Sequence, residues 1–451
     1  MSKLNQSEKT RIKKQPVLKA FILFMLCTSG AFAWTDHSLI SYTALSVMPE
    51  LKEQVQAETL ESFLTKEEAQ LAKVLDSEEQ WALVNVPTYP GRPAAFRFEM
   101  GKGGDIAVRF LKAIRANPTI GSALYVQTIP GTDLHGKQTL SWDKISILKR
   151  NHVMIPFTAL QPGQNVSALE VVATACDEPD YGLDIRLFED NDTDFGKEYA
   201  FGKQPFGNPS LEYSSQAPFH MGFYHEAWIA YAAAPFLKRT YPEFRVHLFL
   251  ALSRLAFETG HKYWGYRFAG IGLHYVQDLT QPYHTMVFPG RSTFSMLLIN
   301  FLDIIGFHEP KTRAIEHVSN THILIEKYEY QLLKDLLGKK DGTHPVIRAL
   351  VDSSKDGSYP AYDDSYVRNV ITLEAHDRAS DADVALMEAM PEKLLNGPSS
   401  ELDADFDLLT MVSDSSVEKR SILDGFLVNL LGSAGSHSRN YLRAAIGQTP
   451  K

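Results

Sequence analysis

Cysteine is nearly absent: the 451 residues contain two, Cys27 and Cys176. Cys27 falls in a stretch that reads as a removable leader, so the mature chain keeps one thiol and can form no internal disulfide. Stability must then come from a large core. Cations are also scarce, with 45 Lys+Arg against 54 Asp+Glu and a formal net charge of −9. Removing residues 1–33 takes away six Lys/Arg and one Glu, a net +5, and leaves −14. Binding through a phosphate backbone needs Lys and Arg to displace counterions, so this balance excludes strong nucleic-acid binding at large. It does not exclude a small phosphodiester held by metal. There is no Gly-rich phosphate loop and no internal repeat, which argues against P-loop chemistry and solenoid architectures.

The leader has three parts. Lys9, Arg11, Lys13 and Lys14 form a basic start, the apolar run Ala20 to Cys27 is too short to span a bilayer, and Ala31-Phe32-Ala33 supplies a small-x-small cleavage pattern. Residues 1–33 therefore read as a signal peptide, with export to the medium or the periplasm. Cys27 lacks the small preceding residue expected of a lipid-modified cysteine.

Hydrophobic residues make up 44% of the chain and charged residues 22%, ordinary for a globular protein with a sizeable core. From Trp34 to about Leu75 apolar residues recur at helical spacing. The segment from about 84 to 171 is broken by Pro87, Pro90, Pro93, Gly101, Gly103 and Gly104 and reads as a small mixed insert, with a helix over Ile106–Ala116 and a strand within Ile145–Phe157. Asp177–Pro218 is loop-like. Two or three helices follow between Glu226 and Asp278, and another is expected to begin near Thr321. The region from about 340 reads as acidic helices and loops. Met286–Phe307 is very apolar. The favoured reading is a buried helix, and the alternative is a helix at a lipid interface.

The chemistry gathers in His274-Tyr275-Val276-Gln277-Asp278-Leu279-Thr280-Gln281-Pro282-Tyr283-His284. His274 and Asp278 are four apart and share one helix face, and Pro282 ends or kinks that helix and swings His284 to a second point. A histidine and a carboxylate on one face suit a borderline cation such as zinc, although such a pair is more often an ordinary hydrogen bond. His322 and Glu326 repeat the four-residue spacing, where the plain alternative is an exposed pair. Cleavage after Ala33 would expose Trp34-Thr35-Asp36-His37 as a new N-terminus. Its α-amine, with an intrinsic pKa of about 8, and the adjacent carbonyl could chelate a metal, with His37 close by.

On these residues the chain resembles the bacterial zinc-dependent phospholipases C, including the alpha-toxin type, whose fold is shared with fungal single-strand-specific nucleases. That family has a mature N-terminal Trp, a His-Tyr-x-x-Asp-x-x-x-Pro-x-His core and a later His-x-x-x-Glu or His-x-x-x-Asp. All three occur here in order. The resemblance covers Trp34–His37 and about Asp180–Glu326. It implies a mainly α-helical bundle over residues 34–451 enclosing three zinc ions, and an enzyme cleaving glycerophospholipid at a membrane surface into diacylglycerol and a phosphorylated head group. It also implies that His220, 54 residues before His274, completes the first zinc with His274 and Asp278. Trp34 and His37 would hold the second, sharing Asp278 as a bridge, and His284, His322 and Glu326 the third.

Asp180, in Glu178-Pro179-Asp180-Tyr181, matches the family's aspartate at the attacking water, and with Asp278 it is the candidate catalytic carboxylate. Asp177, Asp184 and Asp190 compete for that role. Tyr181 matches a substrate-contacting position, but His37 and Ala217 stand where choline-preferring members carry an acidic and an aromatic residue. Gln277, where the family has a small residue, is expected to face away from the metals. Two alternatives remain: a single-strand-specific nuclease of the same fold, and a non-catalytic zinc-stabilised binding module.

Overall fold

Residues 262–278 explain the architecture. This helix, Lys262–Asp278, is dense in apolar and aromatic residues and turns no face to solvent, every residue from Tyr263 to Asp278 being buried. A helix without a polar face must be enclosed by other elements, and here the helices Ala168–Cys176, Pro242–Glu258 and Val417–Ala445 pack around it. Two of its glycines permit the closest approaches. A Cβ at Gly270 would lie 2.4 Å from the carbonyl oxygen of Val172, and one at Gly272 would lie 1.9 Å from the Tyr441 hydroxyl. The computed structural model describes residues 36–149, 155–207, 213–398, 402 and 406–447. The leader and Trp34 therefore lie outside the described residues.

The chain is mainly helical, as expected, with two small antiparallel sheets. Gln54–Gln56 pairs with Asn165–Ser167, with Val55 opposite Val166. Phe157–Ala159 lies between Tyr125–Gln127 and Thr139–Leu140. The expected helix near 106 spans Ile106–Ala113, and the expected strand appears at the end of its segment, at Phe157–Ala159. The stretch up to Leu75 is less uniform than its periodicity suggested. The helix His37–Leu45 stops, the strand Gln54–Gln56 intervenes, and helices resume at Leu60–Lys66 and Glu68–Asn85. A strand of three residues is stabilised by its distant partner, a signal that local spacing does not carry.

Two further expectations need correction. The helix placed near Thr321 begins at Glu309 and runs thirty residues to Gly338. Pro310 sits in its first turn, where a missing N–H costs nothing, so it starts the helix rather than breaking it. The apolar segment around 296 forms the helix Thr293–Ile304, but of its residues only Asn300 is buried. It is not a core helix.

The last long helix, Val417–Ala445, ties the ends of the fold together. Buried Arg439 donates from Nη1 to the carbonyl oxygens of Ala44 (3.1 Å) and Leu350 (2.6 Å), and from Nε to Asp356 Oδ2 at 2.8 Å. These bonds fix the helix His37–Leu45 against this last helix. Asp36 caps that first helix, its Oδ1 accepting from the Leu39 N–H at 3.1 Å, and the Ser38 N–H donates to Asp177 Oδ1 at 2.9 Å.

Candidate metal centre

His274 and Asp278 lie one turn apart in the last turns of the core helix and point to one side. The helix ends at Asp278, and Pro282–His284 forms a 3₁₀ turn whose Tyr283 N–H donates to the Gln281 side chain at 3.0 Å. That turn delivers His284 to His322, as the Pro-x-His spacing anticipated. The Nε2 atoms of these two histidines are 3.1 Å apart, and His322 Nε2 is 2.7 Å from Glu326 Oε1.

An acceptor on the outer side sets the orientation of three of these rings. His274 Nδ1 lies 2.7 Å from the Cys176 carbonyl oxygen and His284 Nδ1 lies 2.9 Å from that of His220. A carbonyl only accepts, so each Nδ1 carries the proton and each Nε2 turns its lone pair inward. His37 is held alike, with Nδ1 at 3.1 Å from Gln277 Oε1. His220 is reversed: its Nδ1 faces His274 Nε2 at 3.0 Å, and its Nε2 looks out to Asp184 at 3.6 Å. Histidines with one nitrogen aimed at a common centre and the other held by a carbonyl or carboxylate form the usual surroundings of a protein-bound metal.

Asp278 stands at the middle. Its Oδ2 is 2.9 Å from His220 Nδ1 and 3.3 Å from His274 Nε2, and its Oδ1 is 3.5 Å from His37 Nε2 and 3.7 Å from His284 Nδ1. Three groups of side chains present ligand atoms close enough to share an ion: His37, His274 and Asp278; Asp180, His220 and His274; and His284, His322 and Glu326. The third is the set expected from the resemblance. The first two share His274, where the expected division gave it to one ion only. Trp34 lies outside the described residues.

The fit to cations rests on orphaned atoms. Both carboxyl oxygens of Asp278 and of Glu326, together with His37 Nε2, are buried and make no well-aligned hydrogen bond, their nearest polar neighbours being the other side chains of the cluster. Buried groups of this kind cost several kcal/mol each unless paired or ligated. Burial pushes the Glu326 carboxyl up to about 8 and the His322 imidazole down to about 3. It drives His274 far below the ordinary histidine range, so that its lone pair is free. Burial opposes charge on Asp278 too, but His274 and His220 hold its carboxyl well below the usual range. For His220 burial is overcome first by the Asp278 carboxylate and then by Asp184, and its pKa rises to about 10. Three buried groups of imidazole and carboxyl side chains could hold metal ions, with His220 and Glu326 giving up their protons to a bound cation.

Of the competing aspartates, Asp180 reaches the centre. Its Oδ1 is 3.9 Å from His274 Nε2 and 4.0 Å from His220 Nδ1, and it accepts from Gln216 Nε2 at 2.7 Å. Burial lifts its pKa to about 6, with His220 opposing. Asp177 holds Ser38 and Gln127 Nε2 (2.8 Å), and Asp190 accepts from the Gln204 N–H. Tyr181 is buried and donates its hydroxyl to Gln127 Oε1 at 2.7 Å, so its polar end is engaged inside the protein.

Three residues were missed or misread. Gln277 does not face away: besides holding His37, its Nε2 donates to Ser41 Oγ at 2.9 Å and Ser438 Oγ at 3.0 Å. Because the core helix is enclosed on all sides, no face of it is remote from structure. Asp184 is kept ionised against burial by Arg245. It also accepts from the Tyr275 hydroxyl at 2.6 Å and so backs His220. Glu329 is fully buried with both oxygens unpartnered. Its position seven residues after His322, two helical turns along the same face, was the signal that could have drawn notice.

Compared with protein-family models, curated proteins and solved structures, the chain matches none.

Proposed function

We propose that this chain is an exported zinc-dependent phosphodiesterase of the phospholipase C type, cleaving glycerophospholipid to diacylglycerol and a phosphorylated head group. The supporting observation is the convergence, around the two buried oxygens of Asp278, of His37, His220, His274 and His284 from three separate parts of the chain. A structural zinc site needs four ligands in one closed set. Three adjoining groups with orphaned carboxylates suit a multinuclear hydrolytic centre better, and the nitrogen-rich donor set with carboxylates suits zinc among common ions. Zinc ions, when bound there, would neutralise the phosphodiester and make a water nucleophilic near neutral pH.

The protein's own part is positional. His37, Asp278 and the new N-terminus at Trp34 would hold one ion, His220 and His274 with Asp278 a second, and His284, His322 and Glu326 the third. Asp180 faces His220 and His274 from the less enclosed side, where it would orient the attacking water or accept its proton. Asp184 and Gln277 keep the rings of His220 and His37 in register.

Metal analysis of the exported form with N-terminal sequencing tests the ion count and the cleavage point together. Parallel assays of phosphocholine or phosphoethanolamine release from lipid and nucleotide release from single strands separate a phospholipase from a nuclease. His274→Ala or Asp278→Ala should reduce hydrolysis to background and lower bound zinc, and retention of both by either variant would end the reading. A zinc-loaded protein that unfolds on chelation yet cleaves neither substrate would instead be a binding module.

A further inference from the structure

The helix Thr293–Ile304 is apolar on its solvent side as well as its packed side, unlike an ordinary surface helix. Its packed side carries Met296, Ile299 and buried Asn300 and rests on the long helix Glu309–Gly338. The side turned to solvent carries Phe294 (77% exposed), Leu298, Phe301 (52%) and Ile304 at successive helical turns, and Ile305 and Phe307 (64%) extend it beyond the C-terminus. With each of these side chains offering about 150–250 Å² when fully open, the patch exposes roughly 600 Å² of apolar surface, the upper end of what a monomeric soluble protein shows. No other element packs closely on the helix among the described residues.

Most of the charges beside the patch are matched within the protein, the exception being Arg291 just before the helix, whose Nε finds no hydrogen-bond partner. Asp303, the one charged residue of the helix, receives Lys311 Nζ at 2.8 Å and His308 Nδ1 at 2.6 Å, and Arg313 Nε pairs with Glu309 at 2.8 Å. The helix itself carries no Lys, Arg or His, and the chain as a whole is acidic. That arrangement repels an anionic bilayer or a polyanion and complements a head-group layer of no net charge. The segment is also continuous with the centre at both ends. It follows the turn bearing His284 by nine residues and leads into the helix that carries His322 and Glu326. We infer that Thr293–Phe307 docks the protein on a zwitterionic phospholipid surface by laying Phe294, Leu298, Phe301 and Phe307 into the head-group and acyl boundary. The inference deepens the phospholipase reading and rests on it for its biological sense, but its physical basis is separate.

Flotation of the full-length mature protein with phosphatidylcholine vesicles, in the cold before turnover, tests it. The wild-type protein should float with phosphatidylcholine and more weakly with phosphatidylglycerol vesicles. Leu298→Asp and Phe301→Asp, at exposed positions that do not touch the core, should each lower partitioning about 10- to 100-fold, the loss expected when one such side chain is no longer buried. Both variants should hydrolyse a short-chain phosphatidylcholine, dispersed below its micelle concentration, at the wild-type rate. Wild-type protein that stays unbound, or variants that float as well as wild type, would overturn the inference, even if the dispersed lipid is cleaved. A lipid-free dimer in light scattering that either variant splits would assign the patch to a second copy and overturn it equally. Flotation lost in the variants, with no phosphodiester cleaved by the wild-type protein, would sustain the docking surface and remove the enzyme.

Discussion

Replacing Gln277 tests the centre through a residue that touches no expected ion. Its Oε1 accepts from His37 Nδ1 and its Nε2 donates to Ser41 and Ser438. Gln277→Met keeps the length and apolar packing of the side chain but leaves His37 N–H without its acceptor. An unsatisfied buried donor costs about 1–3 kcal/mol, and loss of the group orienting a ligating histidine typically weakens metal binding about 10- to 100-fold. Gln277→Glu keeps the acceptor and makes the imidazole a stronger donor to a cation, so its zinc affinity should stay near or above wild type. The assay is competitive zinc titration of chelator-stripped protein against an indicator of known affinity, with thermal unfolding followed with and without zinc. In Gln277→Met the thermal gain from zinc should shrink in step with the affinity. Equal affinity in wild type and Gln277→Met would refute the reasoning, because His37 would then owe neither its orientation nor its ligand role to Gln277. Equal losses in the Met and Glu variants would point to packing damage instead.

Two other predictions concern the frame. Gly272→Ala would set a Cβ 1.9 Å from the buried Tyr441 hydroxyl and 3.0 Å from Phe249 Cβ, so the terminal helix must shift, at a cost of about 1–3 kcal/mol read as a lower unfolding midpoint in urea. Gly425→Ala, with open space around it, is the control that should cost little. Glu374 is partly buried, and although burial opposes its charge, His437 and Arg378 hold its carboxyl down to about 2. A carboxyl depressed in the folded state adds stability above its unfolded value and loses it as the pH falls from about 4.5 towards 2. Glu374→Gln should therefore flatten the acid limb of the stability curve over that window, and an unchanged limb would show that the pair with His437 contributes nothing there.

What the sequence determined by itself was local. Four-residue spacing puts His274 with Asp278 and His322 with Glu326 on single helix faces whatever surrounds them, because the helix repeat alone sets that geometry. Pro282 ends helical continuation for the same kind of reason, so the turn to His284 was legible as well. The mainly helical character followed from the density of such periodic segments. Tertiary structure decided the rest. Gln277 became a support for His37 because the core helix has no outward face, a fact of its enclosure by three other helices and not of its own spacing. Asp184, rather than a nearer-looking aspartate, backs His220 because Arg245 from the helix Pro242–Glu258 keeps it charged in the interior. An apolar run such as Thr293–Ile304 carries the same local signal whether a neighbour covers it or not. Only the placement of the other described elements showed that Phe294, Leu298 and Phe301 stay uncovered, since burial is a relation between distant parts of the chain.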